Sequence, residues 1–439
     1  MASQRSPDSI DRSYRARAPQ VATAVRAFVA WLDEFGEVSY DHQSYYAGPY
    51  GGRAKSLYYR RPLVGLAAVA PMVLSEAIAP SFRKLFWRPQ RFPIADAHYA
   101  MGFASLARST QASGDEIDRA RHFLRALEST RCPGYTHHAW GYPFDWVTRT
   151  GVMKAQTPLI TTTPYCYEAF EAVYELDPSP HWRDVMASIA EHAFVDFHDR
   201  VVADGVATAG YNPSDREGGV VNASAYRAYL LTSAARRFAR DDFAAAAARN
   251  LAFVLRSQQP DGSWWYAMDG VRKFVDHFHT CFVLKALAKI EALTGDERCT
   301  EAIEAGVRYY VENLFDKEAL PKPFASAPRL TVYRHELYDF AECLNLGLLL
   351  RGRFSSLDER TDATLDDVLS RWRRPDGSFR ARELRFGWDN VPMHRWAQSQ
   401  MFRALARILA AAASRVAAPR SDNALSAFHE PPSIHPTPQ

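Results

Sequence analysis

Histidine, tyrosine and arginine stand beside carboxylates at several separated points of the chain. Asp145, Asp215, Asp276, Asp339 and Asp389, with His277, His335 and His394, are the candidate proton-transfer groups. Trp140, Tyr165, Tyr211, Arg216, Asn222, Tyr226, Trp265, His279, Tyr338, Trp388 and Arg395 offer the hydrogen bonds, positive charge and aromatic faces that would hold a sugar. Two chemistries fit such a set. Glycoside hydrolysis needs one carboxyl kept protonated and a second acting as base or nucleophile. Uronyl epimerisation or β-elimination needs a sugar carboxylate neutralised by Arg, His or Asn, and a base near the α-carbon. A metal site on His277, His279, His335 and His394 would require three or four ligands at about 2.0–2.3 Å from the ion. The sequence is read as holding no metal and no cofactor. Each Asp, Asn or Thr also has a plainer use as a helix cap. Capping does not account for the His, Tyr and Arg beside them. Asp145, between Phe144 and Trp146, is expected to have a raised pKa unless a cap or an ion pair holds it.

The elements that would gather these residues repeat along the chain. Apolar helices are predicted to begin near Asp96, Thr163, Asn222, Asp276, His335 and Met393, roughly 55 to 65 residues apart. More amphipathic partners are predicted at 115–129, 181–197, 241–257, 296–314 and 357–372. Ser113-Gly114-Asp115 and Thr294-Gly295-Asp296 place a glycine where one helix stops and an aspartate where the next starts. The sixth partner is missing at the C-terminus, and a helix at 19–35 is expected to supply it, closing six hairpins into a ring. In an all-α (α/α)6 toroid the inner helices run parallel. Their N-terminal ends then surround one funnel, and residues distant in sequence converge there.

The toroid is expected over 19–416, with disordered tails at 1–18 and 417–439. The Tyr- and Gly-rich stretch 36–61, carrying Tyr45, Tyr46 and Tyr50, is read as a β-hairpin or flap over the funnel. The apolar stretch 63–80, interrupted by Pro71 and Glu76, is read as a buried helix pair rather than a membrane span or surface anchor.

With 53 Lys+Arg against 50 Asp+Glu, the net charge of +3 forms no basic stripe, so nucleic acid is excluded as a partner. The five cysteines are scattered, odd in number and without a C-x-x-C pair, which favours free thiols. Residues 1–20 are polar and lack the apolar region of an export signal, so a cytoplasmic protein is expected.

Gln258-Gln259-Pro260-Asp261-Gly262-Ser263-Trp264-Trp265 and Arg373-Arg374-Pro375-Asp376-Gly377-Ser378-Phe379 resemble the Q-x-x-D-G-x-W loops of six-hairpin glycosidases, glycan lyases, sugar epimerases and terpene cyclases. The Trp140–Trp146 run (WGYPFDW), Thr162-Thr163-Pro164-Tyr165, and Asp389–Gln398 (DNVPMHRWAQ) resemble functionally uncharacterised bacterial proteins linked with surface-polysaccharide biosynthesis. The Thr-Thr-Pro turn and Asp389-x4-His394 are also similar to the helical domain of heparosan glucuronyl C5-epimerases. These resemblances imply an enzyme acting on a glycan or lipid-linked oligosaccharide. A lipid-linked substrate would leave peripheral membrane association open; the oligomeric state is not legible.

Because carboxylates outnumber specific proton carriers, glycosidic-bond cleavage of hydrolase or lyase type is expected slightly ahead of uronyl epimerisation. A terpene cyclase would need a D-x-D-D or D-D-x-x-D motif, and neither is present. A non-catalytic glycan-binding protein is the other rival.

Overall fold

The computed structural model describes residues 7–109, 113–149, 151–326 and 331–413. A long helix α1 (Pro7–Phe35) is followed by the short α2 (Ser44–Ala47), α3 (Pro49–Arg60) and α4 (Pro62–Ile78). Hairpins then alternate: α5 (Pro93–Ala107), α6 (Glu116–Ser129), α7 (Thr163–Tyr174), α8 (Pro180–Val195), α9 (Val221–Phe238) and α10 (Asp241–Arg256). They continue through α11 (His277–Thr294), α12 (Glu297–Asn313), α13 (Leu337–Leu349), α14 (Ser355–Asp367) and α15 (Ser399–Ala413). The inner helices α5, α7, α9, α11, α13 and α15 pack each against the next, and α15 closes on α5. Outside them lie α6, α8, α10, α12 and α14, with α1 packed on α15 as the sixth partner. Five of the inner helices begin within three residues of the starts expected from the apolar pattern, and a π-helical turn at His394–Gln398 leads into the sixth, α15.

Local chemistry sets these boundaries. Asp276 caps α11 by accepting from the His279 backbone N–H, and Gly295, at φ 71°, ends the same helix in the left-handed region. Asp296 opens α12 by accepting from the Arg298 N–H. The two Pro-Asp-Gly turns occupy matching places in the ring. A Cβ on Gly262 would lie 2.3 Å from the Ala305 carbonyl of α12, and one on Gly377 would lie 2.2 Å from the Ala27 carbonyl of α1. Each glycine therefore lets a turn sit directly on the next outer helix, and α1 receives its turn as α12 does.

Three expectations about the flanks need correction. Helix α1 begins at Pro7 rather than near Pro19, so most of the supposed 1–18 tail is helical. Tyr14 is buried beneath the Arg351 guanidinium, 4.3 Å above its ring, and Arg17 pairs with Asp366 at 2.6 Å, which ties this extension to α14. The 36–61 stretch is mostly helical rather than a β-hairpin, because Pro49 and Pro62 start helices and Tyr45, Ala54, Val69 and Met72 form a small core of their own. Helix α4 is not buried: one face packs on α3 while Leu63, Val64, Leu66, Leu74 and Ile78 face outward. The 417–439 tail lies outside the described residues.

Candidate active site

At the N-terminal end of α11, Asp276 does two things. Oδ1 accepts from the His279 backbone N–H at 2.9 Å, and Oδ2 accepts from the His279 ring Nδ1–H at 2.6 Å. A carboxylate on Nδ1 fixes the tautomer and leaves Nε2 as a base. The His279 side chain keeps 20% of its surface exposed while Asp276 keeps 2%. Both line a narrow cleft of about 10 Å³, room for about one water, with Val221, Asn222, Trp264, Trp265, Tyr266, Phe274 and Val283. Asn222, in the first turn of α9, is 2% exposed, and neither its amide nitrogen nor its amide oxygen has a hydrogen-bond partner among the described residues. An unpaired buried amide costs about 1–3 kcal/mol, which a bound polar ligand would relieve.

Aromatic rings wall this cleft and the funnel beside it. Tyr266 meets the His279 ring edge-on at 4.6 Å and stacks on Phe274 at 4.8 Å. Tyr338 stacks on Trp396 at 4.5 Å, with Phe278 edge-on to both. Arg395 lies 4.7 Å over Tyr142 and 4.9 Å over Trp396, and its guanidinium is held by Asp41 through bonds of 2.9 and 2.7 Å. Asp41 belongs to the segment before α2, so this segment packs against the aromatic cluster at the start of α15. Burial raises the Tyr266 pKa to about 12 and drives those of Tyr211 and Tyr338 well above the ordinary phenol range. All three are proton donors at neutral pH. Tyr142 and Tyr266 were not singled out by sequence reasoning, although both lie in quoted motif regions: Tyr142 within the Trp140–Trp146 run, Tyr266 directly after Trp264-Trp265.

Deeper in the ring the lumen carries charge rather than hydrocarbon. Lys285 of α11 pairs with Glu342 of α13, and Glu168 of α7 takes both Lys289 and Arg403, the latter at 3.0 Å. Tyr165 and Tyr226 share a 2.8 Å hydrogen bond above them, and Lys285 donates to Tyr165 at 3.3 Å. Asp339 is fully buried with neither oxygen partnered among the described residues. Burial, reinforced by Glu336, Asp276 and Glu342, pushes its pKa well above the usual carboxylate range.

Other expected site residues lie elsewhere or are committed to structure. His277 is buried against the outer helix: Nε2 pairs with the Tyr310 hydroxyl at 2.7 Å and Nδ1 with the Leu314 carbonyl at 3.2 Å. Asp145 has no raised pKa; it accepts from the Ala155 N–H and Lys154, both at 2.9 Å, and the backbone bond leads in holding its pKa low. Asp215 organises its own loop, accepting from the Tyr211, Glu217 and Gly218 N–H groups. Asp389 is buried in an ion pair with Arg83. His335 bridges Glu383 and Asp316, each at 2.9 Å. Trp140 is hairpin packing, its indole N–H on the Leu127 carbonyl at 2.7 Å. Trp388 packs edge-on to Trp372 beside the outer helix, with Arg380 over its face. Arg216 is exposed.

His394 is also structural: Nδ1 meets the Tyr99 hydroxyl at 2.6 Å and Nε2 the Gly36 carbonyl at 2.9 Å. Burial lowers its pKa to about 4. A histidine whose folded pKa lies below the unfolded value of about 6.5 binds its proton more tightly when unfolded. Its contribution to stability is complete above that value and is lost as pH falls towards 4. Burial also lowers the pKa values of His42, His98, His138 and His277, so thermal unfolding followed from pH 7.5 to 4.5 is expected to show a steep loss of Tm below pH 6.5, of which His394→Gln, which cannot titrate, removes only the His394 share.

By sequence, no protein-family model and no curated protein matches this chain. Solved structures do match. The cellobiose 2-epimerase of Spirochaeta thermophila superposes with TM-score 0.56 at 14% identity, over 82% of this chain and 98% of that one. An α-mannanase of glycoside hydrolase family 76 from Bacteroides thetaiotaomicron gives 0.52 at 10% identity, over 74% and 87%. An unsaturated glucuronyl hydrolase specific for heparin gives 0.52 at 11%, over 71% and 85%. At such identities the likeness speaks to architecture, and the chain is an (α/α)6 toroid of the six-hairpin kind.

Proposed function

We propose that this protein is a carbohydrate-active enzyme that transfers a proton to or from a sugar carbon, acting as an epimerase or a lyase. The observation that carries this reading is the Asp276–His279 pair, which faces the same cleft as the unpaired amide of Asn222. The ranking of chemistries expected from the sequence changes for a physical reason. Of the five aspartates offered for hydrolysis, Asp145, Asp215 and Asp389 are consumed by loop or ion-pair contacts, Asp276 serves His279, and Asp339 is buried. No two of them stand ready to flank a glycosidic oxygen.

In the proposed reaction, His279 Nε2 removes the proton α to a sugar carboxylate or carbonyl, and Asp276 stabilises the imidazolium that forms. Asn222 donates to the enolate oxygen as charge develops there. Epimerisation returns a proton from the opposite face. Elimination instead forms the alkene as the β-carbon–oxygen bond breaks, and the Tyr266 phenol can protonate the departing oxygen. The tyrosine and tryptophan walls suit sugar faces. That epimerases, a mannanase and a glucuronyl hydrolase share the fold supports a glycan substrate. The motif resemblance supports a bacterial surface polysaccharide, and five separate buried free thiols suit the reducing cytoplasm.

The test is a panel of uronate-bearing and neutral oligosaccharides incubated with the enzyme in D2O. Deuterium appearing at a sugar carbon, or a conjugated uronate absorbing in the ultraviolet, is expected. New reducing ends without either signal would mean hydrolysis and would overturn the reading.

A further inference from the structure

We infer that the hairpin of α3 and α4, with the turn after it, docks on an anionic membrane surface. Helix α4 uses Gly65, Val69 and Met72 to pack inward. Its other face shows Leu63 at 88% exposure, Leu74 at 61% and Ile78 at 70%, and the following turn adds Phe82 at 53% and Leu85 at 77%. A soluble monomer seldom leaves so many large apolar side chains together in water.

Charge complementarity identifies what covers the patch. Between residues 49 and 95 the basic residues are Arg53, Lys55, Arg60, Arg61, Arg83, Lys84, Arg88 and Arg91, and the only acidic one is Glu76. Glu76 is already neutralised by Arg382. Arg60, Arg61, Lys84 and Arg88 are exposed around the apolar face. Leucine and isoleucine ringed by Arg and Lys is the composition of a helix lying in the interface of an acidic bilayer. A second copy of this chain is a poorer occupant, because a two-fold contact would bring two faces ringed by charge of the same sign together. Spanning is not an alternative: among the described residues no helix is long and apolar enough to cross a membrane.

The surface is also built to stay in place. Two ion pairs clamp the segment to the toroid, Arg83 with Asp389 and Arg382 with Glu76, and a third, Arg395 with Asp41, holds the chain just before it. The segment is therefore held at the end of the ring where the inner helix α15 begins. If the proposed function holds, this placement suits a glycan carried on a lipid. Membrane docking itself does not depend on that reading.

Flotation of the full chain with vesicles of phosphatidylcholine alone, and of phosphatidylcholine with about one third phosphatidylglycerol, tests the inference without any substrate. Binding to the acidic vesicles is expected, at least tenfold stronger than to the neutral ones and weakened by salt. Leu63→Ser with Leu74→Ser and Ile78→Ser is expected to abolish it with Tm unchanged, since all three side chains are exposed. Arg60→Gln with Arg61→Gln is expected to weaken it roughly twenty-five-fold, at about fivefold per basic side chain. Absence of binding to acidic vesicles would overturn the inference, as would equal binding to both kinds. A concentration-dependent dimer in vesicle-free sedimentation, lost in the triple serine variant, would reassign the face to self-association. None of these outcomes bears on proton transfer, which the D2O experiment reads separately.

Discussion

Replacing His279 with glutamine is expected to lower turnover by about 10²–10⁴-fold, the usual contribution of a positioned proton carrier. Glutamine keeps a polar side chain of similar reach, and Asp276 still caps α11 through the backbone bond, so Tm should hardly move. Asp276→Asn is expected to lose about a hundredfold or more through the wrong imidazole tautomer, again with the helix intact. The comparison that gives this force is His277→Gln. Two positions earlier on the same helix turn, His277 is wedged between Tyr310 and the Leu314 carbonyl, so its loss should lower stability and leave turnover per folded molecule nearly unchanged. Rates measured per folded enzyme check all three variants. A His279→Gln enzyme of normal activity would remove the proposed base.

The second large effect is on stability. Arg83 is fully buried, donating to the Pro80 carbonyl at 3.1 Å and pairing with Asp389, itself fully buried. Arg83→Met strands the Asp389 carboxylate without a counter-charge, and breaking such a pair from one side costs about 3–5 kcal/mol. Adding Asp389→Leu removes the stranded charge and is expected to recover most of the loss, because two apolar groups in place of a buried pair are often neutral. Thermal melts of the single and double variants measure this. If the double variant is no more stable than Arg83→Met, the loss comes from packing rather than from the stranded charge.

The ring was legible because its signal is long and repeated. Six apolar helices recur at similar spacing, and Asp276, Gly295 and Asp296 mark boundaries through local chemistry that needs no partner from afar. The sixth outer helix could be expected at the N-terminus because a ring leaves one place unfilled. The 36–92 segment was not legible, since Tyr and Gly composition does not distinguish a hairpin of strands from one of helices. The exposed face of α4 was hidden for a related reason: an apolar run looks the same whether protein or lipid covers it.

The site was half legible. Sequence placed Asn222, Asp276, His279, Tyr338 and Arg395 near helix starts, where the ring brings them to one end. It could not tell which way each side chain turns. His277 and His279 differ by two positions on one helix, and that rotation sends one to the outer helix and the other to the cleft. Nor could it show the long-range pairing that commits Asp389 to Arg83, whose 306-residue separation no local pattern records. Asp145 illustrates the opposite error: its aromatic neighbours suggested desolvation, but backbone bonding and exposure dominate.

The most direct test is a crystal structure of the His279→Gln enzyme soaked with the oligosaccharide on which the wild-type enzyme acts. The account predicts a sugar ring over the mouth of the cleft beside Trp265 and Tyr266, an oxygen on the Asn222 amide, and the reacting carbon facing residue 279 within about 3.5 Å. A sugar bound elsewhere, or one whose glycosidic oxygen lies between two carboxylates far from residue 279, would contradict it.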